Sequence, residues 1–126
     1  MITKKASILF LFAFLLSSLS LFGEDDVMTP EKIVQMKRIS DPQLSPDGKR
    51  VAYVLRSLDE EKHALTTDIY VVDSDTGESV QMTYHPENDS NPRWSPDGKT
   101  IAFLSTREEK QQIWLIQLAG GEAFEI

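Results

Sequence analysis

The spacing of apolar residues changes character three times along this chain, and each change predicts a different kind of element. Lys4 and Lys5 lead into an apolar stretch, Ala6 to Leu16, broken only by Ser7, and small residues follow at Ser17, Ser18, Ser20 and Gly23. That layout is a secretory signal, with cleavage after Ser20 or Gly23. The apolar run is too interrupted and too short to favour a permanent spanning helix, so residues 1–23 are expected to meet the membrane only in transit. An acidic linker, Glu24-Asp25-Asp26, comes next. Thr29 as N-cap, Pro30 at the first helical position and Glu31 beside the positive end of the dipole predict a short leader helix over Pro30 to Lys37. Ile33 and Met36, with Val34 adjacent, form a stripe expected to dock on the propeller or a neighbouring domain of the same chain rather than on a partner. From Ile39 onward the pattern is that of strands. They are expected near Gln43 to Leu44, Arg50 to Arg56, Asp68 to Val72 and Ser79 to Met82, then Pro92 to Trp94, Thr100 to Ser105, Gln112 to Gln117 and Ala123 to Glu125. A mobile polar loop is expected over Ser57 to Thr67.

The two sets of four strands are copies. Ser45-Pro46-Asp47-Gly48-Lys49 recurs as Ser95-Pro96-Asp97-Gly98-Lys99, and the flanks recur with it: Val51 to Leu55 aligns with Ile101 to Ser105 at an offset of fifty. Farther on, Asp68 to Asp73 aligns with Gln112 to Gln117 at an offset of forty-four, so the length difference falls in the loop after the second strand, where insertions are cheap in closure entropy. In each copy the proline presets φ at the second turn position, serine suits the first, and Gly48 or Gly98 accepts positive φ at the fourth. The result is a hairpin turn with a glycine bulge. Strand runs such as Val51 to Leu55 and Ile113 to Leu118 are apolar on both faces, as expected for a sheet sandwiched between two others. A repeat of this length with several strands per unit belongs to β-propeller blades. The fold class is therefore all-β: two four-stranded antiparallel blades, residues 39–126, of an incomplete propeller, preceded by the signal and by the linker and leader helix of 24–38. A ring takes roughly four to eight blades. The chain is accordingly expected to be the N-terminal piece of a longer protein.

Composition narrows the partners. There are 20 acidic against 13 basic residues and a net charge of −7, which loss of the signal lysines would make more negative still. That excludes nucleic acid as the expected partner. With no cysteine, neither a disulfide nor a lipid-modified cysteine is available.

The succession of signal, Met28-Thr29-Pro30-Glu31, Arg38 to Lys49 and Asn91 to Lys99 resembles the start of a prolyl oligopeptidase family serine peptidase, nearest its acylaminoacyl-peptidase and dipeptidyl-peptidase-like branch. The resemblance covers nearly all of the chain after the signal. It implies a propeller that caps a C-terminal α/β-hydrolase domain and filters peptides reaching a Ser-Asp-His triad, with a peptide substrate engaged through that domain. The signal at residues 1–23, once cleaved, leads to the expectation of an exported protein, periplasmic or extracellular. No residue of the hydrolase domain falls within the chain, so the resemblance carries over no catalytic residue. The blade motif is shared with TolB-like propellers, so a non-enzymatic periplasmic protein-interaction module is the alternative, and a propeller fused to a metal-dependent amidohydrolase is a third reading. TolB-like proteins carry a sizeable α/β domain between signal and first blade. Only a short stretch separates Gly23 from Ser45 here, which favours the peptidase.

Other candidate chemistry is sparse. Gly77-Glu78-Ser79-Val80-Gln81 lacks the second glycine of a nucleophile elbow and sits in a predicted hairpin. His63 and His85 fall in loops, and no His-Glu-x-x-His or cysteine set exists for zinc. Asp73-Ser74-Asp75-Thr76-Gly77 begins like a calcium loop, but its glycine comes one position early and Tyr84 stands where the closing glutamate belongs. It reads as a strand connection. Glu60-Glu61 reads as a solvated loop pair, Asn88-Asp89-Ser90 as a turn that happens to match a glycosylation sequon, and Trp94 and Trp114 as blade-packing aromatics. No cofactor or metal site is expected. The residues with a definite structural role are Ser45, Pro46, Asp47, Gly48, Ser95, Pro96, Asp97 and Gly98.

Overall fold

The structure, a computed structural model, describes residues 28–126. The expected signal and acidic linker lie outside the described residues. A short helix, α1 (Pro30–Gln35), is followed by eight strands: β1 (Arg38–Leu44), β2 (Arg50–Asp59), β3 (Ala64–Asp73), β4 (Ser79–Gln81), β5 (Asp89–Trp94), β6 (Thr100–Ser105), β7 (Gln112–Gln117) and β8 (Phe124–Glu125). They form two antiparallel meanders, β1-β2-β3-β4 and β5-β6-β7-β8. These are the two blades that the repeat predicts.

The blades stack in the same sense, and the burial pattern shows it. Blade 1 buries Ala52, Val54, Ile69 and Val71, while blade 2 buries Ile101, Phe103 and Ile116. Ala52 pairs with Val71 and Val54 with Ile69, so one face of blade 1 enters the core. In the fifty-residue alignment, however, Ile101 and Phe103 correspond to Val51 and Tyr53, the opposite face. One blade's Ala52 face therefore meets the other's Ile101 face, a head-to-tail stacking that propagates around a ring. Ile69, Ile101 and Phe103, the largest fully buried apolar side chains, each contribute about 1.5–3 kcal/mol through removal from water.

Four details depart from the sequence-based expectation. The first strand of each blade is longer than expected because both run through a bulge, with the register shifting between Ser40 and Gln43 and between Ser90 and Arg93. Pro42 and Pro92 are accommodated there, where no ladder hydrogen bond is required of them. The expected loop over Ser57 to Thr67 is mostly ladder, since Ser57 pairs with Thr66 and Leu58 with Leu65. Adjacent β-branched threonines extend the hairpin, leaving only residues 60–63 as its turn. The helix ends at Gln35 and buries none of its residues, with Ile33, Val34 and Met36 all more than half exposed. Among the described residues the stripe is not docked on the blades.

Candidate functional site at the seam between the blades

The two repeated turns are built from identical contacts. Gly48 N–H donates to Ser45 O at 2.9 Å and Gly98 N–H to Ser95 O at 2.9 Å, closing each four-residue turn. The glycines have φ of 73° and 68°. The hydroxyls of Ser45 and Ser95 donate to Asp47 and Asp97 Oδ1 at 2.6 Å, and each carboxylate also accepts from the N–H of the following lysine at 3.0 Å. Those hydroxyl and amide bonds hold both carboxyls below the usual carboxylate range, the serine contribution being the larger. Ser45 and Ser95 Oγ in turn accept from the N–H of Arg50 and Thr100. Pro46 lies beside the neighbouring turn, since a Cβ added to Gly98 would come within 3.6 Å of its Cδ. A cleft of about 730 Å³ lies beside these turns, with Asp47 and Asp97 in its wall. Both carboxylates are committed to their own turns, so they are not poised as an acid and base pair.

The seam beneath is polar as well as apolar. Asp41 and Asn91, at equivalent places in the two bulges, have φ of 47° and 53°. Positive φ is uncommon outside glycine and best tolerated by Asp and Asn, and the residue before proline ordinarily prefers an extended backbone. In blade 1 this strained bulge aims Asp41 across the seam, where Arg93 Nη1 donates to its Oδ2 at 2.9 Å, while Gln43 Nε2 donates to Oδ1 at 2.7 Å. The bond from Arg93 is the largest influence holding the Asp41 carboxyl below its usual value. Trp94 Nε1 donates to Gln43 O at 2.9 Å, also across the seam. Trp94 is thus a packing aromatic with a directed polar tip.

Deeper in blade 2, Arg107 Nη2 donates to both oxygens of Asp89 at 3.2 and 3.1 Å, and its Nε donates to Ser105 Oγ at 2.9 Å. Asp89 is fully buried and the Arg107 side chain is 11% exposed. The guanidinium lies 4.5 Å above the Trp114 ring and 5.4 Å from the Phe103 ring. In β3 of blade 1, burial first and the Asp89 charge second push the Asp68 carboxyl up to about 6, against opposing bonds from Gln81 and Thr83.

The remaining sequence candidates are ordinary connections. His63 and Glu60-Glu61 are exposed in the β2–β3 turn, where Asp59 Oδ1 accepts from the N–H groups of Glu61 and Lys62. His85 Nδ1 accepts from Glu87 N–H. Asp73 Oδ1 accepts from Asp75 and Thr76 N–H, which makes the calcium-like string a turn between β3 and β4. Ser79 lies in β4 with its hydroxyl 2.7 Å from that of Tyr53, not on an elbow. Among the described residues no group of acids, histidines and cysteines could hold a metal ion. Sequence reading missed the Asp89–Arg107 pair and Asp68. A signal was present: Asp89 and Arg107 stand where blade 1 has Ile39 and Ser57, two departures from the repeat that occur together.

Residues 26–126 match the TolB beta propeller domain family. The chain belongs to that family. It is 40% identical over 98 residues to the uncharacterized peptidase YuxL of Bacillus subtilis (strain 168), a match covering 77% of this chain but 15% of that protein. Among solved structures it is similar to the acylaminoacyl peptidase of Pyrococcus horikoshii, with 29% identity and a TM-score of 0.58 over 75% of this chain and 14% of that one. It is also similar to a TolB-type protein from Agrobacterium tumefaciens, with 29% identity and a TM-score of 0.54 over 69% of this chain and 30% of that one. The propeller segment is thus related to those of peptidases, and it spans only a small part of the length of each relative.

Proposed function

We propose that the chain is the N-terminal propeller segment of an exported serine peptidase of the prolyl oligopeptidase family, one that hydrolyses short or acylated peptides while the propeller gates their access. The observation that carries this reading is the similarity to two peptidases across three quarters of the chain. The chain's own part is mechanical. Turns whose carboxylates are locked internally, and a seam fixed by Asp41–Arg93 and by the Trp94 bond to Gln43, make blades that hold a rim in place rather than perform chemistry. Hydrolysis belongs to a serine on a Gly-x-Ser-x-Gly elbow, followed in order by aspartate and histidine, in a further domain. The family match equally supports a TolB-type interaction module as the second reading.

The complete reading frame decides between them. Its product should hydrolyse aminoacyl or peptidyl chromogenic substrates and lose that activity to a serine-directed fluorophosphonate, while residues 1–126 alone should be inactive. A reading frame that closes the propeller and ends without a hydrolase domain would overturn the peptidase in favour of the interaction module.

A further inference from the structure

Blade 1 carries a row of side chains that the blade fold itself does not require. Arg38 of β1 is the register partner of Arg56 of β2, which is the partner of Thr67 of β3. Side chains in one such row stand on one face of the sheet, and Ser40, two residues after Arg38, shares it. Together with Leu65 and Asn88 they line a concavity of about 400 Å³. Like charges directly opposite one another on antiparallel strands are destabilising. Both arginines are nevertheless exposed in this row, and neither joins the ion pairs found among the described residues, which are Lys62–Asp59, Arg93–Asp41 and Arg107–Asp89.

The hydrogen bonds around Asn88 give the concavity a sign. Asn88 Oδ1 accepts from the N–H of Thr67 at 3.0 Å and from its hydroxyl at 3.3 Å. The acceptor end of that amide is therefore used, and its Nδ2 donors remain. What the concavity offers is two guanidinium forks, an amide NH₂ and the Ser40 hydroxyl, a set dominated by donors. The repeat supplies an independent observation. Fifty residues on, the places of Arg38 and Arg56 are held by Asn88 and Thr106. A blade of this fold is thus built without arginine at either place, and in blade 1 both are present together in a chain of net charge −7.

We propose that this concavity is a carboxylate-binding site for an acidic peptide, with Arg38 and Arg56 receiving one carboxylate between their forks while Ser40 and Asn88 donate at its edge. Planar guanidinium groups match the two oxygens of a carboxylate, and charge-assisted bonds of this kind are the strong ones. The site does not depend on a hydrolase domain, because it is read by binding alone.

The test is fluorescence anisotropy on the full chain with three labelled peptides: one with two glutamates and an amidated C-terminus, one with glutamines and a free C-terminal carboxylate, and one with glutamines and an amide. The first two separate a side-chain from a terminal carboxylate as the recognised group, and saturable binding of either, weakening with salt, supports the site. The neutral peptide should not bind. Arg38→Gln with Arg56→Gln should weaken binding by about tenfold or more, each single variant should fall between, and Lys99→Gln at the distant turn should change nothing, with circular dichroism confirming the fold. Absence of saturable binding, equal binding of the neutral peptide, or equal loss in Lys99→Gln would overturn the proposal. Displacement by inorganic phosphate but not by N-acetylglutamate amide would overturn the carboxylate assignment in favour of a phosphate.

Discussion

Arg107→Ala tests whether the seam is held by its buried charges. Asp89 is fully buried and accepts Arg107 Nη2 on both oxygens, and the guanidinium also bonds Ser105 and covers Trp114. Removing one partner of a buried pair strands the other without a counter-charge, at about 3–5 kcal/mol. The lost cation–π contact acts in the same direction by about 1–2 kcal/mol, although the two effects share one side chain and do not add fully. A loss near 4 kcal/mol would consume a large part of the roughly 5–15 kcal/mol by which a domain is stable. Arg93→Ala removes the other seam pair, but its side chains are 56% and 27% exposed, so the loss should stay within about 1 kcal/mol. The double variant Asp89→Leu with Arg107→Met should recover most of what Arg107→Ala loses, because the buried charge goes with its partner. Urea unfolding followed by fluorescence of Trp94 and Trp114 gives all four free energies, with unchanged slopes confirming the same transition. Arg107→Ala within about 1 kcal/mol of the parent chain would refute the reasoning.

Three further outcomes are expected. Gly98→Val should lower the melting temperature far more than Lys99→Ala, because a β-branched side chain at φ 68° is strained by roughly 1–3 kcal/mol while the lysine is exposed; comparable melts would contradict the turn geometry. For Asp68, pushed up to about 6 against an ordinary value of 3.8, the folded state holds a proton between about pH 4 and 6 that the unfolded state has lost, so this group's contribution to stability falls as pH rises through that window. Asp68→Asn should therefore be more stable than the parent chain at pH 7, the gap closing toward pH 4; a gap independent of pH would show that the carboxyl is not perturbed. Residues 24–126 purified alone should associate, since Leu44, Val80, Ile113 and Phe124 are 64%, 58%, 51% and 48% exposed, and a sharp melt from a clean monomer by sedimentation would contradict this.

The fold was legible where local chemistry and repetition agree. Ser-Pro-Asp-Gly specifies its turn through proline's fixed φ and glycine's tolerance of positive φ, and its second occurrence with matching flanks turned a hairpin into a blade. The β2–β3 hairpin is not legible beyond Arg56 because Ser57, Asp59 and Thr66 are polar, a composition that a loop shares. Their register across the ladder depends on Leu58 facing Leu65, a pairing of non-neighbours that no local window contains. The bulges were missed for a related reason. A proline in a short run argues against a strand unless an extra residue absorbs it, and only the observed shift between Ser40 and Gln43 shows that one does.

The seam and the proposed site became visible by a different comparison, between the two copies rather than within either. Positions that agree in both blades, such as Ser45 with Ser95 and Asp47 with Asp97, make the same hydrogen bonds twice and so belong to the scaffold. Positions that disagree sort by what accompanies them. Ile39 and Ser57 become Asp89 and Arg107, a change of two neutral residues into a bonded, buried pair that completes itself inside the fold. Asn88 and Thr106 correspond to Arg38 and Arg56, a change that places two like charges opposite each other and supplies no acid. The first kind of departure stabilises the seam on its own. The second opposes blade stability until a negative group from elsewhere arrives, and a cost of that kind persists in a fold when binding offsets it. Neutralising Arg38 or Arg56 should on this reasoning leave the chain as stable as before, or slightly more so, while weakening its hold on acidic peptide. A loss of stability on Arg56→Gln comparable to that on Arg107→Ala would place the arginine row among the structural pairs and remove the ground for a site.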